Sequence, residues 1–426
     1  MSDAVTAVRT RTVLPNGLVV LFHENHANPT VAIHGLVRAG AIFDPATKAG
    51  LAGFTAAMLD RGTASRTAFE QAEALESLGA SLHFDGGSET VTFSGNTLAE
   101  DLGQVLDVLA DALRHPAFTE EQVEKARDEL LVRVKISSEN TSYVASRAAN
   151  EMLYPEGHPY HRSPMGTEST LRAMSRDDLA AFHAAHYGPA QTILVLAGDV
   201  DPESALTHVH RSFLDWKRLE RPAPFEVPAA PAPARTERRV IRMKGKSQVD
   251  VAVALPGLER TDPGYYASMI ANFVLGGGSL SSRLMEQIRD KEGLVYGVYS
   301  TLNAGIGAGP IQIHAGTNPA NADRTAEAIL AEVERMQDQG PNQLELDEAV
   351  SYLTGVFPVR LEANSGVAAQ LLGVELYGLG TDYIERYPSI IRGVSLEDTR
   401  AAARKLFVSG SHVLAIAGSY PEDNAG

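Results

Sequence analysis

The sequence predicts an α+β protein built from two homologous domains, each an antiparallel-rich sheet packed with helices. The chain of 426 residues is long for a single hydrophobic core, so at least two domains are expected. Residues 174–203, MSRDDLAAFHAAHYGPAQTILVLAGDVDPE, align without a gap with residues 394–423, VSLEDTRAAARKLFVSGSHVLAIAGSYPED. In each half, strand-like segments are followed by runs of helices, which is typical of α+β layers. These observations indicate an internal duplication.

The two aligned segments each predict a capped helix followed by a buried strand. Ser175 and Ser395 are N-cap candidates, and an acidic residue follows each of them three positions later, at Asp178 and Asp398. The aliphatic runs LVLAG and LAIAG then predict one buried strand in each copy.

The rest of the first half alternates between strand and helix signals. The segments NGLVVLFHEN and PTVAIHGLVRAG predict two strands of a hairpin, because turn residues separate them. Thr67 and Glu70 form a capping-box pattern for a helix that ends before Gly79. A strand pair is expected around FDGGSETVTFSG, and helices are expected from Leu98 and from Thr119.

The second half repeats this order after a spacer. Residues 218–239, RLERPAPFEVPAAPAPARTERR, are rich in proline and alanine and have no apolar period, which favours a semi-extended linker. The predicted domains are therefore residues 1–217 and 240–426. Strands are expected at VDVAVALPG, VYGVYSTLN and GPIQIHAGT, with helices from Pro263 and from Asn321.

Composition and charge limit the classes of function. The formal net charge of -16 disfavours nucleic-acid binding and docking on an anionic membrane, and we expect no basic stretch that offsets it. The absence of cysteine excludes disulfides, thiolate nucleophiles and cysteine zinc sites. We find no signal peptide pattern and no apolar run long enough to span a membrane. A cytoplasmic location is expected, and a periplasmic one is left open.

Several phrases, taken in their order along the chain, carry a resemblance to a known family. They are NGLVVLFHE, GLAGFTAAMLDRGT, LGASLHF, GHPYHRSPMGT, ILVLAGDV and GGGSLSSRLMEQIRDKEGLVYGVYS. The chain resembles the pitrilysin, or insulinase, family of zinc peptidases in its short bacterial form, over nearly its whole length. The resemblance implies two α+β domains per chain, and two chains that face each other around a chamber for unfolded peptides.

The zinc motif of that family is missing here. The family's active helix carries H-x-x-E-H, in which two His bind zinc and the Glu activates the attacking water. The matching positions in GLAGFTAAMLDRGT hold Gly53, Ala56 and Ala57, none of which can bind a metal or accept a proton. The family's third ligand, a Glu, falls at about Val134, which we expect to pack in the core. We therefore expect no metal or cofactor in this chain and zinc in a partner subunit.

A second family signature is present in SRLMEQIRDKEGLVYGVYS. The resemblance implies that Arg289 and Tyr296 reach into the active site of a facing chain, where they contact the substrate and the transition state. Arg289 is expected in the last turn of a helix that ends at Gly293, and Tyr296 near the start of the next strand. Structural alternatives are a helix-end arginine and a core tyrosine. Arg283 and Tyr299 are the neighbours most easily confused with the pair.

Other candidate sites are weaker. His183 and His186 lie one turn apart and His208 and His210 are close, but no acidic third ligand stands at a suitable spacing, so helix surface is favoured for the first pair. The segment LGGGSLSSRL, which ends at Leu284, lacks the lysine and the spacing of a phosphate loop.

Three functions remain at this point. The first is a zinc-free subunit of a heterodimeric zinc metallopeptidase, inactive alone and active with a homologous partner that bears H-x-x-E-H. The second is a catalytically inactive protein of the same fold that binds peptides or serves as a scaffold. The third, ranked last, is an independent hydrolase that uses other histidines.

Overall fold

The structure, a computed structural model, describes residues 9–233 and 235–420. The chain forms two compact units. The first unit comprises Met1–Val132, Ser163–Phe225 and Phe357–Ile384, and the second comprises Arg133–Arg162, Glu226–Val356 and Glu385–Gly426. The ends of the predicted domains and the last three positions of the repeat, residues 421–423, lie outside the described residues.

The described residues contain strands and helices as follows. The strands are β1 Arg9–Val13, β2 Val19–Glu24, β3 Thr30–Val37, β4 Ser81–Gly86, β5 Val91–Leu98, β6 Thr192–Gly198, β7 Glu237–Arg242, β8 Val249–Leu255, β9 Val295–Leu302, β10 Ile311–Thr317 and β11 Val413–Gly418. The helices are α1 Leu51–Ala56, α2 Ala68–Glu76, α3 Leu102–Arg114, α4 Glu120–Ser138, α5 Thr141–Leu153, α6 Glu168–Ala173, α7 Arg176–His186, α8 Pro202–Phe213, α9 Tyr265–Asn272, α10 Ala322–Gln339, α11 Gln343–Arg360, α12 Asn364–Leu376, α13 Tyr383–Arg392 and α14 Leu396–Leu406. Within this part of the chain, no helix is both long enough and apolar enough to cross a membrane.

The sheet of the first unit has six strands in the order β1-β2-β6-β3-β5-β4. The expected hairpin between β2 and β3 is wrong, because β6 lies between them, parallel to β2 and antiparallel to β3. Every residue of β6, TILVLAG, is buried, and this apolar strand gains most from a central place. The strand that forms a hairpin with β2 is β1. The predicted pair around FDGGSETVTFSG is confirmed as β4 and β5.

The sheet of the second unit repeats this arrangement with five strands, β7-β11-β8-β10-β9. β7 is parallel to β11, and β11 is antiparallel to β8, as β2, β6 and β3 are in the first sheet. No described strand of the second unit corresponds to β1. The two-domain α+β architecture expected from the duplication is thus present.

Each unit contains a helix from the opposite half of the sequence, α5 in the second unit and α12 in the first. α5 packs on β8 and β11, where its buried Ala145 and Ala149 join a core with Ala252 and Ala415. α12 packs on β6 and β3. Small side chains allow a helix to approach a sheet closely, and the alanine faces of α5 and β8 match in this way. Neither unit is continuous in sequence, whereas the predicted domains, 1–217 and 240–426, are.

The predicted helix caps are confirmed. Ser175 accepts a hydrogen bond from the Asp178 amide, and Ser395 accepts one from the Asp398 amide, with the reciprocal carboxylate bonds also present. Thr67 begins α2 with the same capping box. Each such cap contributes about 1 kcal/mol to helix stability. The repeat therefore preserves both the helix starts and the buried strands that follow them.

Candidate functional site

The helix expected to carry the zinc motif is short and largely buried. The Asp44 carboxylate accepts hydrogen bonds from the Gly50 amide (2.7 Å) and the Ala52 amide (2.8 Å), which satisfies the first amides of α1. At the other end, Arg61 Nε donates to the Ala57 carbonyl at 2.9 Å, a favourable place for a cation. α1 is therefore fixed at both termini by charged side chains.

Two glycines bring β4 and α1 into backbone contact at the expected zinc position. A Cβ atom at Gly86 would lie 2.5 Å from the Cα atom of Gly53, so only glycine permits this approach. A Cβ atom at Gly53 would lie 3.0 Å from the Pro164 carbonyl oxygen. β4 is also the edge strand of its sheet. The end of this edge strand therefore lies against the backbone of α1 at Gly53.

The residues at these positions do not fit a zinc ion. Gly53, Ala56 and Ala57 offer no nitrogen or oxygen side-chain donor, and the Ala56 side chain is only 1% exposed. Within the described residues, no group of three or more His, Cys, Asp or Glu is placed to hold a metal. These three positions of α1 therefore supply no zinc ligand.

The expected core position of Val134 is wrong, because the side chain is only half-buried. From residue 131 to the end of α4, no side chain is fully buried. α4 therefore packs in the core only through its earlier turns. Its buried apolar residues there are Val123, Ala126 and Leu130.

The second candidate element is a π-helical segment, Met285–Lys291, that leads directly into β9. The Gly293 amide donates to the Arg289 carbonyl at 3.0 Å, and Gly293 has a φ of 65°, which ends the helix in the left-handed conformation. Met285 and Ile288 are buried beneath the segment. π-helical turns are rare and often occur at functional sites. This turn places Arg289 and Tyr296 on the same side of the unit.

Arg289 and Tyr296 contact each other and remain available to a further group. The guanidinium carbon of Arg289 lies 5.5 Å from the centre of the Tyr296 ring, within range of a cation–π interaction. Tyr296 is 90% exposed, although it lies in a strand. Among described residues, Arg289 forms no ion pair and the Tyr296 hydroxyl forms no hydrogen bond. A highly exposed aromatic side chain beside a cation without an ion-pair partner is an informative surface feature, and it favours a role in binding a further group.

The neighbouring arginine is fully engaged. Arg283 donates from Nε and Nη2 to the two carboxylate oxygens of Glu345 at 2.6 and 2.7 Å, and from Nη2 to the Gly340 carbonyl at 2.8 Å. The hydrogen bond to Glu345 is the main cause that raises the pKa of Arg283. Partial burial alone would raise the pKa of Glu345, but the bonds from Arg283 and the Asn342 amide hold it below its usual value. Arg283 is therefore a structural cation.

Tyr299 is also engaged within the unit. Its ring stacks on His314, with ring centres 5.3 Å apart, and it is 49% exposed. Burial lowers the pKa of His314, which favours a neutral imidazole under this ring. Arg289 and Tyr296 are thus distinguished from Arg283 and Tyr299, whose side chains are engaged within the unit.

The histidines of α7 are half-buried, so the expectation that they lie on the helix surface holds only in part. His183 Nε2 lies 2.9 Å from the Leu113 carbonyl oxygen, and burial lowers the pKa of His183 to about 4. His186 stacks on Phe43 at 4.6 Å and is half-buried. Aromatic packing accounts for both residues without a metal. His208 and His210 both lie on α8.

Sequence reasoning missed the roles of Gly86 and Asp44. Both act through the backbone, Gly86 by its lack of a side chain and Asp44 by its bonds to amides. The only signal was the glycine pair in FDGGSE, which also fits an ordinary turn.

Two family models match most of the chain. The insulinase model, Peptidase family M16, matches residues 19–167, and the Peptidase M16 inactive domain model matches residues 173–353. The chain belongs to the insulinase family of peptidases, family M16. The match to the inactive-domain model includes Arg289 and Tyr296, and the other match includes the positions of the missing zinc motif.

Relatives of this M16 chain are similar along nearly its full length. An uncharacterised zinc protease of Streptomyces coelicolor is 26% identical over 92% of this chain and 86% of that protein. A Helicobacter pylori protein described as the non-peptidase homologue YmxG is 26% identical over 89% of this chain and 87% of that protein. The crystal structure of a peptidase M16 inactive domain from Pseudomonas fluorescens is 25% identical with a TM-score of 0.90, covering 97% of this chain and 98% of that one. The chain is thus an M16 protein of the inactive type, with a peptidase fold.

Proposed function

We propose that this chain is the zinc-free subunit of a heterodimeric zinc metallopeptidase. It lends Arg289 and Tyr296 to the active site of a homologous partner that bears H-x-x-E-H and holds the zinc. The observation that carries the proposal is the pair itself: Tyr296 is 90% exposed and the half-buried Arg289 lies against its ring, while neither side chain forms a hydrogen bond or ion pair among the described residues. The absence of a ligand set on α1 supports a division of labour between two chains.

The chemistry of the pair suits peptide hydrolysis in a partner's active site. A phenol can donate a hydrogen bond to the oxyanion that forms when water attacks the peptide carbonyl, and loss of such a donor typically costs about two to three orders of magnitude in rate. A guanidinium can bind a peptide carbonyl or carboxylate with two hydrogen bonds. The cation–π contact between Arg289 and Tyr296 restrains both side chains before substrate arrives. The substrate class is an unfolded peptide.

The partner supplies what this chain lacks. The zinc ligands, the zinc-bound water and the general base would all be supplied by the partner. In this chain the corresponding positions of α1 hold Gly53, Ala56 and Ala57, which supply neither a zinc ligand nor a base. This chain alone therefore has no peptidase activity under the proposal.

The test is peptide cleavage by the reconstituted pair of chains. Tyr296→Phe and Arg289→Ala should each lower kcat for an unstructured peptide, by about two to three orders of magnitude for Tyr296→Phe. Assembly with the partner should remain intact, since the two substitutions remove no hydrogen bond or ion pair between described residues of this chain. Tyr299→Phe and Arg404→Gln are the matched controls and should stay within about twofold of wild type, as expected for surface substitutions away from the site.

Unchanged turnover by both variants, in complexes of normal composition, would refute the role of the pair. A complex that assembles but never cleaves peptide would favour the scaffold alternative, which the description of the Helicobacter pylori relative as a non-peptidase also favours.

A further inference from the structure

The outer strand of the second sheet is strongly basic in an acidic protein. Between residues 235 and 246 the sequence RTERRVIRMKGK has one acidic residue, Glu237. This stretch corrects the expectation that no basic stretch offsets the net charge of -16. Its basic residues are Arg235, Arg238, Arg239, Arg242, Lys244 and Lys246.

One edge of β7 has no described partner strand. β7 pairs only with β11, on one side, in the part of the chain that the structure describes. The equivalent strand of the first sheet, β2, is covered on the same side by β1. β1 runs antiparallel to β2, with Arg11 opposite Leu21 and Thr12 opposite Val20. The duplication thus shows how an added strand fits at this place.

The residues of β7 differ from those of β2 position by position. The pairing of β2 with β6 and of β7 with β11 makes Val20 equivalent to Arg238 and Leu21 equivalent to Arg239. Val20 and Leu21 are 0% and 5% exposed, whereas the arginine side chains are 46% and 45% exposed. The edge that is apolar and covered in one sheet is basic and accessible in the other.

Part of the positive charge on this strand is not neutralised within the chain. Arg238 pairs with Asp323, and Arg239 pairs with Glu151 at 3.0 Å. Arg235, Lys244 and Lys246 form no ion pair with a described residue. The strand and its flanks therefore retain a net positive charge.

We propose that the open edge of β7 binds an extended acidic segment of a partner protein as an added antiparallel strand. The segment takes the place that β1 holds in the first sheet. Backbone hydrogen bonds supply the affinity. Arg235, Lys244 and Lys246, which form no ion pair with a described residue, attract the acidic side chains and supply the selectivity. In β1, the places that correspond to those opposite Arg238 and Arg239 are held by Thr12 and Arg11. This inference is independent of the proposed peptidase function.

Two alternative roles fit the basic edge less well. Charged edge strands also prevent association between sheets, but a mixture of signs would serve that purpose equally well, and here the charges are almost all positive. The remaining acidic surface would repel a nucleic acid, and a nucleic acid does not add a strand to the free backbone groups of a sheet edge. A short acidic peptide can both pair with the open edge of β7 and be attracted by its positive charge.

The probe is a fluorescein-labelled peptide, EVTEET, designed so that its two adjacent acids face Arg239 and Arg238 in the register of β1. Fluorescence polarisation on the full chain at low salt should detect binding. Bound peptide should also slow hydrogen exchange of the amides in residues 237–242. The peptide KVTKKT should not bind. A labelled single-stranded oligonucleotide that binds as tightly as EVTEET would overturn the proposal.

Two N-methylated peptides separate strand addition from simple charge attraction. Methyl groups on alternate amides face β7 in one peptide and face away in the other. We expect one peptide to lose binding and the other to keep it. Equal binding of both would overturn the proposal, as would an absence of binding by EVTEET itself.

A charge variant of the protein provides the final arm. Arg235→Gln, Lys244→Gln and Lys246→Gln, combined, should weaken EVTEET binding about tenfold, because each exposed ion pair contributes a small amount to affinity. The matched control combines Arg133→Gln, Lys135→Gln and Arg404→Gln, which removes the same charge elsewhere. Equal weakening in both variants would show a non-specific charge effect and overturn the proposal.

Discussion

Rebuilding the zinc motif on α1 should destabilise the protein without creating a zinc site. Ala56 is 1% exposed, so Ala56→Glu would bury a carboxylate with no cationic partner. An uncompensated buried charge costs about 3 to 5 kcal/mol. For a domain of this size that corresponds to a fall in Tm of about 10 °C, at about 2–4 °C per kcal/mol. Ala57→Glu is the matched control, because the half-buried Ala57 leaves the carboxylate access to water.

The full replacement, Gly53→His with Ala56→Glu and Ala57→His, adds a steric penalty. The new Cβ at position 53 would lie 3.0 Å from the Pro164 carbonyl oxygen, closer than ordinary contact. Overpacking of this kind costs about 1–3 kcal/mol. The assays are differential scanning fluorimetry and zinc content by mass spectrometry after dialysis. One tightly bound zinc per chain with an unchanged Tm would refute the expected incompatibility of α1 with the motif.

Three further predictions concern stability. Gly293→Ala should cost about 1 kcal/mol of stability, because the φ of Gly293 is 65°, although a Cβ there would meet open space. Gly355→Ala within α11, where a Cβ would also meet open space, should stabilise the protein by up to about 1 kcal/mol. Urea unfolding of both variants measures this difference in sign. Arg283→Ala should cost about 2 kcal/mol, since it leaves the Glu345 carboxylate without its bidentate partner, and thermal unfolding will show no change if that ion pair is dispensable. Burial lowers the pKa of His183 to about 4 from 6.5, so the unfolded chain binds the proton first and stability falls as pH drops from about 6.5 towards 4. Between pH 7.5 and pH 5 this loss should reach about 2 kcal/mol, and a His183→Gln variant whose Tm falls as steeply with pH would contradict it.

Local features of the fold could be predicted from the sequence. The capping boxes at Thr67, Ser175 and Ser395 depend on residues three positions apart, and all are present. The helix end at Gly293 was predictable for the same reason, because a left-handed residue after a helix favours glycine.

Long-range features could not be predicted in this way. Nothing in the local pattern of β2 and β3 shows that β6, more than 150 residues later, takes the place between them. The placement of α5 on the second sheet depends on matching alanine faces that are distant in sequence. Such pairings are decided by tertiary packing, which propensity and periodicity do not contain.

The candidate site also combines features that the sequence could predict with features that depend on tertiary structure. The loss of zinc ligands at Gly53, Ala56 and Ala57 follows from side-chain chemistry alone. The exposure of Tyr296, and its contact with Arg289, needed the π-helical turn that no sequence pattern indicated. His183 shows the reverse error, since a histidine on a polar-looking helix is half-buried, with Nε2 at 2.9 Å from the Leu113 carbonyl oxygen.

The most direct test of the proposed function is capture of the tagged chain from its native lysate, followed by mass spectrometry and zinc analysis of the purified complex. We expect a homologous chain with H-x-x-E-H in equal amount, one zinc per pair, and peptide cleavage that requires both chains. A purified assembly of this chain alone, or a complex that contains no zinc and cleaves no peptide, would contradict the proposed division of labour.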